Sequence, residues 1–424
     1  MSLKGRVILG LKWTSFATIS VAIAALLKIS ILARFLEKSD FGLMALVTFV
    51  MGFMNLFSDM GLSTAILHVQ KIDKKTYASL YWFNITLCVL LYLILFVTTP
   101  LISNLYNEPE LDFLIKLLGL NLIISGVGLQ FKTIETKNLS FKNISIIEIA
   151  AAVISLVLAI WLAVNDYGVL SLVYSALVQY IIMNSFFLIL GLRKHGLLFH
   201  FKWSETIPFL KIGIYQVGGQ IANYFNRDLD ILLIGKFFST DVLGGYSLAK
   251  QLVFRPTQII NPILVKVASP TLAKFQKDIT LLKTNYLKLI KVVSAINIPV
   301  YFGIILFAPL IVQIMYGSGF ENIEILVRIL SVYMIFRAVS NPVGSLVIAT
   351  GRTDLEFIWN ILSLLVMPIF IYVGARFGIV EVAISLTLAM LLLFIPSWKF
   401  LVHKMTGASL KEYVRSILYM NFRF

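Results

Sequence analysis

The residues best suited to chemistry in this sequence are cations, carboxylates and amides set inside long apolar stretches. The stretch at about 208–237 carries Gln216, Gln220, Asn223, Arg227 and Asp230, with Asp228 beside them. Their spacing of 4, 3, 4 and 3 puts the five on one narrow helical face. The stretch at 241–270 carries Ser247, Gln251, Arg255 and Gln258, with Lys250 alongside. The stretch at 41–67 repeats the pattern with Thr48, Gly52, Asn55, Asp59 and Ser63, and Lys28 lies in the stretch at 11–34 with Thr14 and Thr18.

A charge at the centre of a bilayer costs about 2.5–3.5 kcal/mol on insertion scales, so such positions are informative. Cations outnumber anions in these stretches, which suits an anionic ligand such as a phosphate or pyrophosphate. Lys28, Lys250 and Arg255 have no acid partner in reach within their own helices. With Gln251, Gln220 and Asn223 they are the candidate substrate-binding residues. Asp228, Asp230, Arg227 and Asp59 are the candidates for ion coupling, and Arg227 with Asp230 forms an i,i+3 pair. Arg328 and Arg337 are weaker candidates. The competing reading is that polar stripes of this kind only join helices together.

Enzyme signals are weak. No Gly-rich phosphate loop ends in Gly-Lys-Ser/Thr. The 4 histidines, His68, His195, His200 and His403, have no metal-ligand spacing. Asp228-Leu229-Asp230 imitates the acidic pair of sugar transferases, but a two-residue match without a large catalytic domain carries little. No catalytic residue, metal or cofactor is expected.

The elements that must position these residues follow from composition. Of 424 residues, 59% are apolar and 13% charged, and mean hydropathy is +0.91. Soluble domains have about 45–50% apolar and about 25% charged residues, so this is a polytopic membrane chain. A secreted disulfide scaffold, a nucleic-acid-binding domain and a soluble Rossmann or barrel enzyme are excluded. Apolar runs fall at about 11–34, 41–67, 79–102, 111–131, 144–164, 168–191, 208–237, 241–270, 286–310, 322–348, 355–375 and 378–402, which predicts twelve spanning helices. The first run continues past Ala22-Ile23-Ala24 to Arg34, as a retained helix does and a cleaved signal does not. The single cysteine, Cys88, sits in an apolar run as a small core residue. Intramembrane Pro256, Pro262, Pro270, Pro299, Pro342 and Pro368 mark either bending points or static kinks.

The net charge of +15 is distributed unevenly. Alternate loops hold 25 Lys and Arg on one side and 6 on the other, which predicts both termini in the cytoplasm. Trp13, Trp82, Trp203, Trp359 and Trp398 fall at the expected cytoplasmic helix ends and Trp161 at an outer end.

The chain also repeats internally. Arg34-Phe35-Leu36 with Ser39-Asp40 and Gly42 returns as Lys236-Phe237-Phe238 with Thr240-Asp241 and Gly244. Pro100-Leu101-Ile102 with Tyr106 returns as Pro309-Leu310-Ile311 with Tyr316, and Tyr167-Gly168-Val169 as Phe377-Gly378-Ile379. Six helices per half bring both halves in from the same side, so the repeat is parallel. Two six-helix lobes are expected, residues 1–206 and 207–424 with a short cytoplasmic tail. The polar stripes lie on equivalent helices of the two halves, as expected if they line one central cavity.

The run from Arg227-Asp228-Leu229-Asp230 to Gly235-Lys236-Phe237-Phe238, then Leu243-Gly244-Gly245-Tyr246-Ser247-Leu248-Ala249 and Pro256, resembles the polysaccharide-transporter branch of the MOP (multidrug/oligosaccharidyl-lipid/polysaccharide) exporter superfamily, the Wzx-type flippases. Asp40-Phe41-Gly42, Asp59-Met60-Gly61-Leu62, Phe141-Lys142 and Ala349-Thr350-Gly351-Arg352 fit as well. The resemblance covers nearly the whole chain. It implies an all-α, MATE/MOP-like fold with a cationic cavity, in the bacterial inner membrane. The implied function is outward flipping of undecaprenyl-pyrophosphate-linked oligosaccharide repeat units by alternating access, for O-antigen, colanic acid or a similar surface polysaccharide. The implied partners are the lipid-linked oligosaccharide, Na⁺ or H⁺ as coupling ion, and polysaccharide polymerase machinery. Such proteins often carry two further helices, whereas the tail Lys411–Phe424 is too short to span twice, so the resemblance implies either a twelve-helix member or a shortened chain. The alternatives are a cation-coupled drug or metabolite antiporter of the same superfamily and, in another class, a membrane-embedded glycan polymerase.

Overall fold

A computed structural model describes residues 3–69 and 71–418. Helices account for nearly all of them. In chain order they are α1 (Leu3–Leu32), α2 (Lys38–Ser58), α3 (Leu62–His68), α4 (Lys74–Tyr106), α5 (Glu110–Lys137), α6 (Phe141–Val164), α7 (Val169–His195), α8 (Trp203–Phe237), α9 (Thr240–Lys274), α10 (Ile279–Leu306), α11 (Ala308–Tyr316), α12 (Glu324–Ser340), α13 (Val343–Thr350), α14 (Thr353–Ala375), α15 (Ile379–Thr406) and α16 (Leu410–Leu418). Each of the twelve expected runs is helical.

Three runs are divided, that at 286–310 at Phe307 between α10 and α11. The run at 41–67 breaks at Met60 and Gly61, both with positive φ (43° and 72°), a conformation glycine adopts without strain. Asp59 secures the restart. Its carboxylate accepts from the Ser63 amide (3.1 and 3.2 Å) and the Ser63 hydroxyl (2.7 Å), satisfying a donor that the first turn of α3 leaves open. The run at 322–348 divides at Asn341-Pro342 because proline has no amide hydrogen to continue the ladder.

Among the described residues, nine helices are long and apolar enough to cross a membrane: α1, α2, α4, α5, α6, α7, α10, α14 and α15. The remaining expected spans fall short for physical reasons. α8 and α9 carry the charged stripes, and α12–α13 is interrupted. The outward faces are apolar: Val97 is 73% exposed and Leu101 70%, a surface suited to lipid. The protein is an all-α, multi-pass membrane protein.

The chain forms two compact units, Met1–Tyr224 and Phe225–Phe424. In the first, α5 packs on α4 and α7, and α1 packs on α6. Small residues permit the close approach of α5 to α7. A Cβ on Gly128 would meet the Asn184 Cα at 2.7 Å, and one on Gly191 would strike the Phe131 ring at 2.0 Å. Around them Tyr77, Tyr81, Phe131, Ile144 and Phe187 form an apolar cluster. The link 196–202 is clamped by the Ser79 hydroxyl, which donates to Glu205 (2.6 Å) and accepts from the Lys202 amide (3.0 Å). The Ser79 hydrogen bond holds the Glu205 carboxyl below the usual carboxylate range.

In the second unit α10, α12, α9 and α15 pack side by side, and α14 lies on α15. α16 lies against α10, with Tyr413 buried beside Tyr286, Leu346 and Leu401 and with Lys283 bridging to Glu412 (3.0 Å).

Candidate functional site

The two-residue link between α8 and α9, Phe238-Ser239, folds the chain back on itself. The Ser239 hydroxyl accepts from the Val242 amide and starts α9. Lys250 on α9 is thereby brought against the end of α8. Its ammonium donates to the Arg227 carbonyl (2.8 Å), to Asp228 Oδ1 (3.1 Å) and to Asp230 Oδ1 (2.7 Å). These three acceptors use all three of its protons. The side chain is only 8% exposed, and the ammonium also lies 5.3 Å from the centre of the Phe254 ring.

Both carboxylates are further engaged. Asp230 Oδ2 accepts from the Tyr246 hydroxyl at 2.6 Å, and Asp228 Oδ2 accepts from Arg227 Nε at 2.7 Å. The result is an alternating chain, Arg227–Asp228–Lys250–Asp230–Tyr246, with formal charges that cancel. A buried ion pair is tolerable when each charge has its hydrogen bonds, as here. Arg337 on α12 stands next to this chain. Its guanidinium donates to the Tyr333 hydroxyl and stacks 5.4 Å from the Phe254 ring centre, within electrostatic reach of Asp230 and Asp228.

The pairing expected within α8 is therefore corrected. Arg227 holds Asp228, not Asp230. Asp230 points inward, with its side chain 10% exposed, and meets Lys250 and Tyr246, while Arg227 remains half exposed. Spacing along one helix showed which residues share a face. It gave no view of the neighbouring helix, where the true partner stands.

The other candidates are dispersed. Gln251 and Arg255 continue along α9, both partly buried, and Arg255 has no carboxylate partner among the described residues. Gln220 and Asn223 on α8 are exposed, and the side chain of Gln216 lies outside the described residues. In the first unit, Lys28 donates to the Ser155 hydroxyl at 3.1 Å, and that hydroxyl donates to the Ser175 carbonyl at 2.7 Å. No carboxylate neutralises Lys28 among the described residues. Asp59 is held by Ser63 and has no cationic partner among the described residues. Arg328 is exposed.

Sequence reasoning missed Tyr246 and Phe254. The signal was present: Tyr246, Lys250 and Phe254 recur every four residues and form the buried face of α9, one residue out of phase with Ser247, Gln251 and Arg255. It also missed Glu135, a carboxylate 1% exposed that receives Lys194 (2.9 Å) and His195 (3.4 Å). Among the described residues no group of three His, Cys, Asp or Glu is placed to hold a metal ion.

Comparison with known proteins places this geometry. A family model described as "Polysaccharide biosynthesis protein" matches residues 31–325. The lipopolysaccharide biosynthesis protein WzxC of Escherichia coli (strain K12) is 28% identical over 98% of this chain and 85% of its own length. The teichuronic acid biosynthesis protein TuaB of Bacillus subtilis (strain 168) is 28% identical over 89% of this chain and 78% of its own. Among solved structures, the lipid II flippase MurJ in an inward closed conformation superposes with a TM-score of 0.79 at 16% identity, covering 95% of this chain and 89% of MurJ. An inward-facing multidrug resistance MATE transporter of the MOP superfamily gives 0.69 at 17%, covering 93% and 100%. At those identities the structures show the fold alone, which is that of the MOP exporters. The family model covers well over half of the residues, and the chain belongs to the polysaccharide biosynthesis protein family.

Proposed function

We propose that the protein flips lipid-linked oligosaccharide repeat units outward across the bacterial inner membrane, for assembly of a surface polysaccharide. The observation that carries this reading is a nearly full-length match to proteins named for lipopolysaccharide and teichuronic acid biosynthesis, on a MOP exporter fold. The short links between described helices, residues 196–202 being among the longest, support a transporter over a polymerase with a loop-borne active site. The family match favours a glycan carrier over a drug antiporter, since the two share the fold.

Within this reading the lipid diphosphate is drawn by in-span cations with no carboxylate partner among the described residues, namely Arg255, Lys28 and Arg337. Gln251, Gln220 and Asn223 offer neutral hydrogen bonds to sugar. No bond is made or broken, because the protein only lowers the cost of carrying a polar head through hydrocarbon. Lys250 is tied to two carboxylates, so its place is in coupling. A proton or Na⁺ arriving at Asp230 or Asp228 competes with Lys250 for the same oxygens, and its departure lets the ammonium return. Asp59, without a cationic partner, is a second candidate for such an ion. The six-helix lobes 1–206 and 207–424, with both termini cytoplasmic, are part of the same proposal.

Mass spectrometry of lipid extracts from a deletion strain tests the function. Lipid-linked repeat units should accumulate while surface polysaccharide disappears, and the intact gene should reverse both. Normal surface polysaccharide without accumulation would refute it.

A further inference from the structure

A second basic centre lies in the first unit, on other helices than those of the ion-pair chain. The C-terminal ends of α5 and α7, the start of α4 and the end of α3 enclose a cavity of about 740 Å³. Lys71, Lys74, Lys137, Lys194 and His195 line it, against apolar walls that include Ile66 and Ile134. Few carboxylates answer this charge. Glu135 is buried beneath Lys194 and His195 and is spent on them. Asp73 caps α4, accepting from the Lys75 and Thr76 amides at 3.1 and 3.2 Å. Lys137 donates to the Ile66 carbonyl (2.8 Å) and to the Val69 carbonyl, which fixes the end of α3 to α5. Lys71 and Lys74 are exposed and pair with no carboxylate among the described residues.

Tyr77 lines the same cavity with its ring, and its hydroxyl is closed off from the space within.

We propose that this recess binds a phosphate group, with Lys71 and Lys74 as free cations. The pairing of ammonium groups with apolar walls suits the phosphate of a lipid headgroup, whose first methylenes would rest on the isoleucines. A soluble phosphoester has the same anionic chemistry without that apolar contact. The site is separate from the cations assigned to export, and binding is read on purified protein with no transport step, so either reading can fail alone.

The test is affinity of the full-length protein for two probes: phosphatidylglycerol, titrated into zwitterionic nanodiscs, and inorganic pyrophosphate in solution. Each exposed lysine near a phosphate surface contributes about fivefold, so K71Q/K74Q should weaken binding roughly thirtyfold. K277Q/K411Q removes the same charge from the second unit and should leave affinity unchanged. Lysine-dependent binding of phosphatidylglycerol alone identifies a lipid headgroup site, and equal sensitivity with pyrophosphate identifies a site for phosphate as such. Binding of neither probe, K71Q/K74Q equal to wild type, or an equal loss in K277Q/K411Q would overturn the proposal.

Discussion

Lys250 shows what a single residue contributes and what it conceals. Its position inside an apolar run marked it as important from sequence, and so did those of Asp228 and Asp230. That the three form one unit was not legible, because the contact joins α8 to α9 and depends on the turn at Phe238-Ser239. Removing the ammonium leaves two carboxylates short of a partner in a buried place, so Lys250→Met should destabilise the protein by about 3–5 kcal/mol. Asp230→Asn should cost less, since Lys250 keeps Asp228 and the Arg227 carbonyl. The double variant K250M/D230N should be more stable than the two single losses imply, with a coupling of about 1–3 kcal/mol. Thermal unfolding in one detergent measures all four proteins, and additive losses would show that the pair does not couple. In vesicles, Asp230→Asn should retain substrate binding while transport loses its response to an imposed Na⁺ or pH gradient. A wild type indifferent to both gradients would leave the ion pair with a structural role only.

At the scale of elements, hydrophobic runs were readable because lipid forces helices and leaves few alternatives. Every run expected from the sequence is helical. What was not readable is where a run divides. Met60-Gly61 looked like part of a continuous span until the left-handed backbone and the Asp59 cap placed α3 as a separate piece. Close helix approach was equally hidden, since glycine in a sequence does not announce its neighbour. Gly128 and Gly303 make the contrast testable. In isolation alanine is the better helix former by roughly 0.5–1 kcal/mol. Gly303→Ala has nothing within 4 Å of the new methyl and should be neutral or stabilising by up to about 1 kcal/mol. Gly128→Ala meets the backbone of α7 and should cost about 1–3 kcal/mol. Equal effects in unfolding experiments would mean that α5 and α7 do not pack this closely.

For the molecule as a whole, composition excluded every soluble class, and motif resemblance reached the family that the comparison then established. The side of the membrane facing each loop rests on charge counting alone. Cysteines placed at Glu108 and Ser318 should react with an impermeant maleimide from outside intact cells, and those at Lys75 and Lys277 only after lysis. Cys88 is buried and gives little background. Reaction of the Lys75 position from outside would invert the topology.

The most direct test of the export reading is flipping by the purified protein in lipid vesicles. A fluorescent polyprenyl-diphosphate oligosaccharide is placed in both leaflets, and an impermeant reductant bleaches what reaches the outer one. With the wild-type protein, bleaching should run past the outer-leaflet share towards completion, and Arg255→Ala should slow that second phase about tenfold or more. Bleaching that stops at the outer-leaflet share, as in protein-free vesicles, would contradict the assignment.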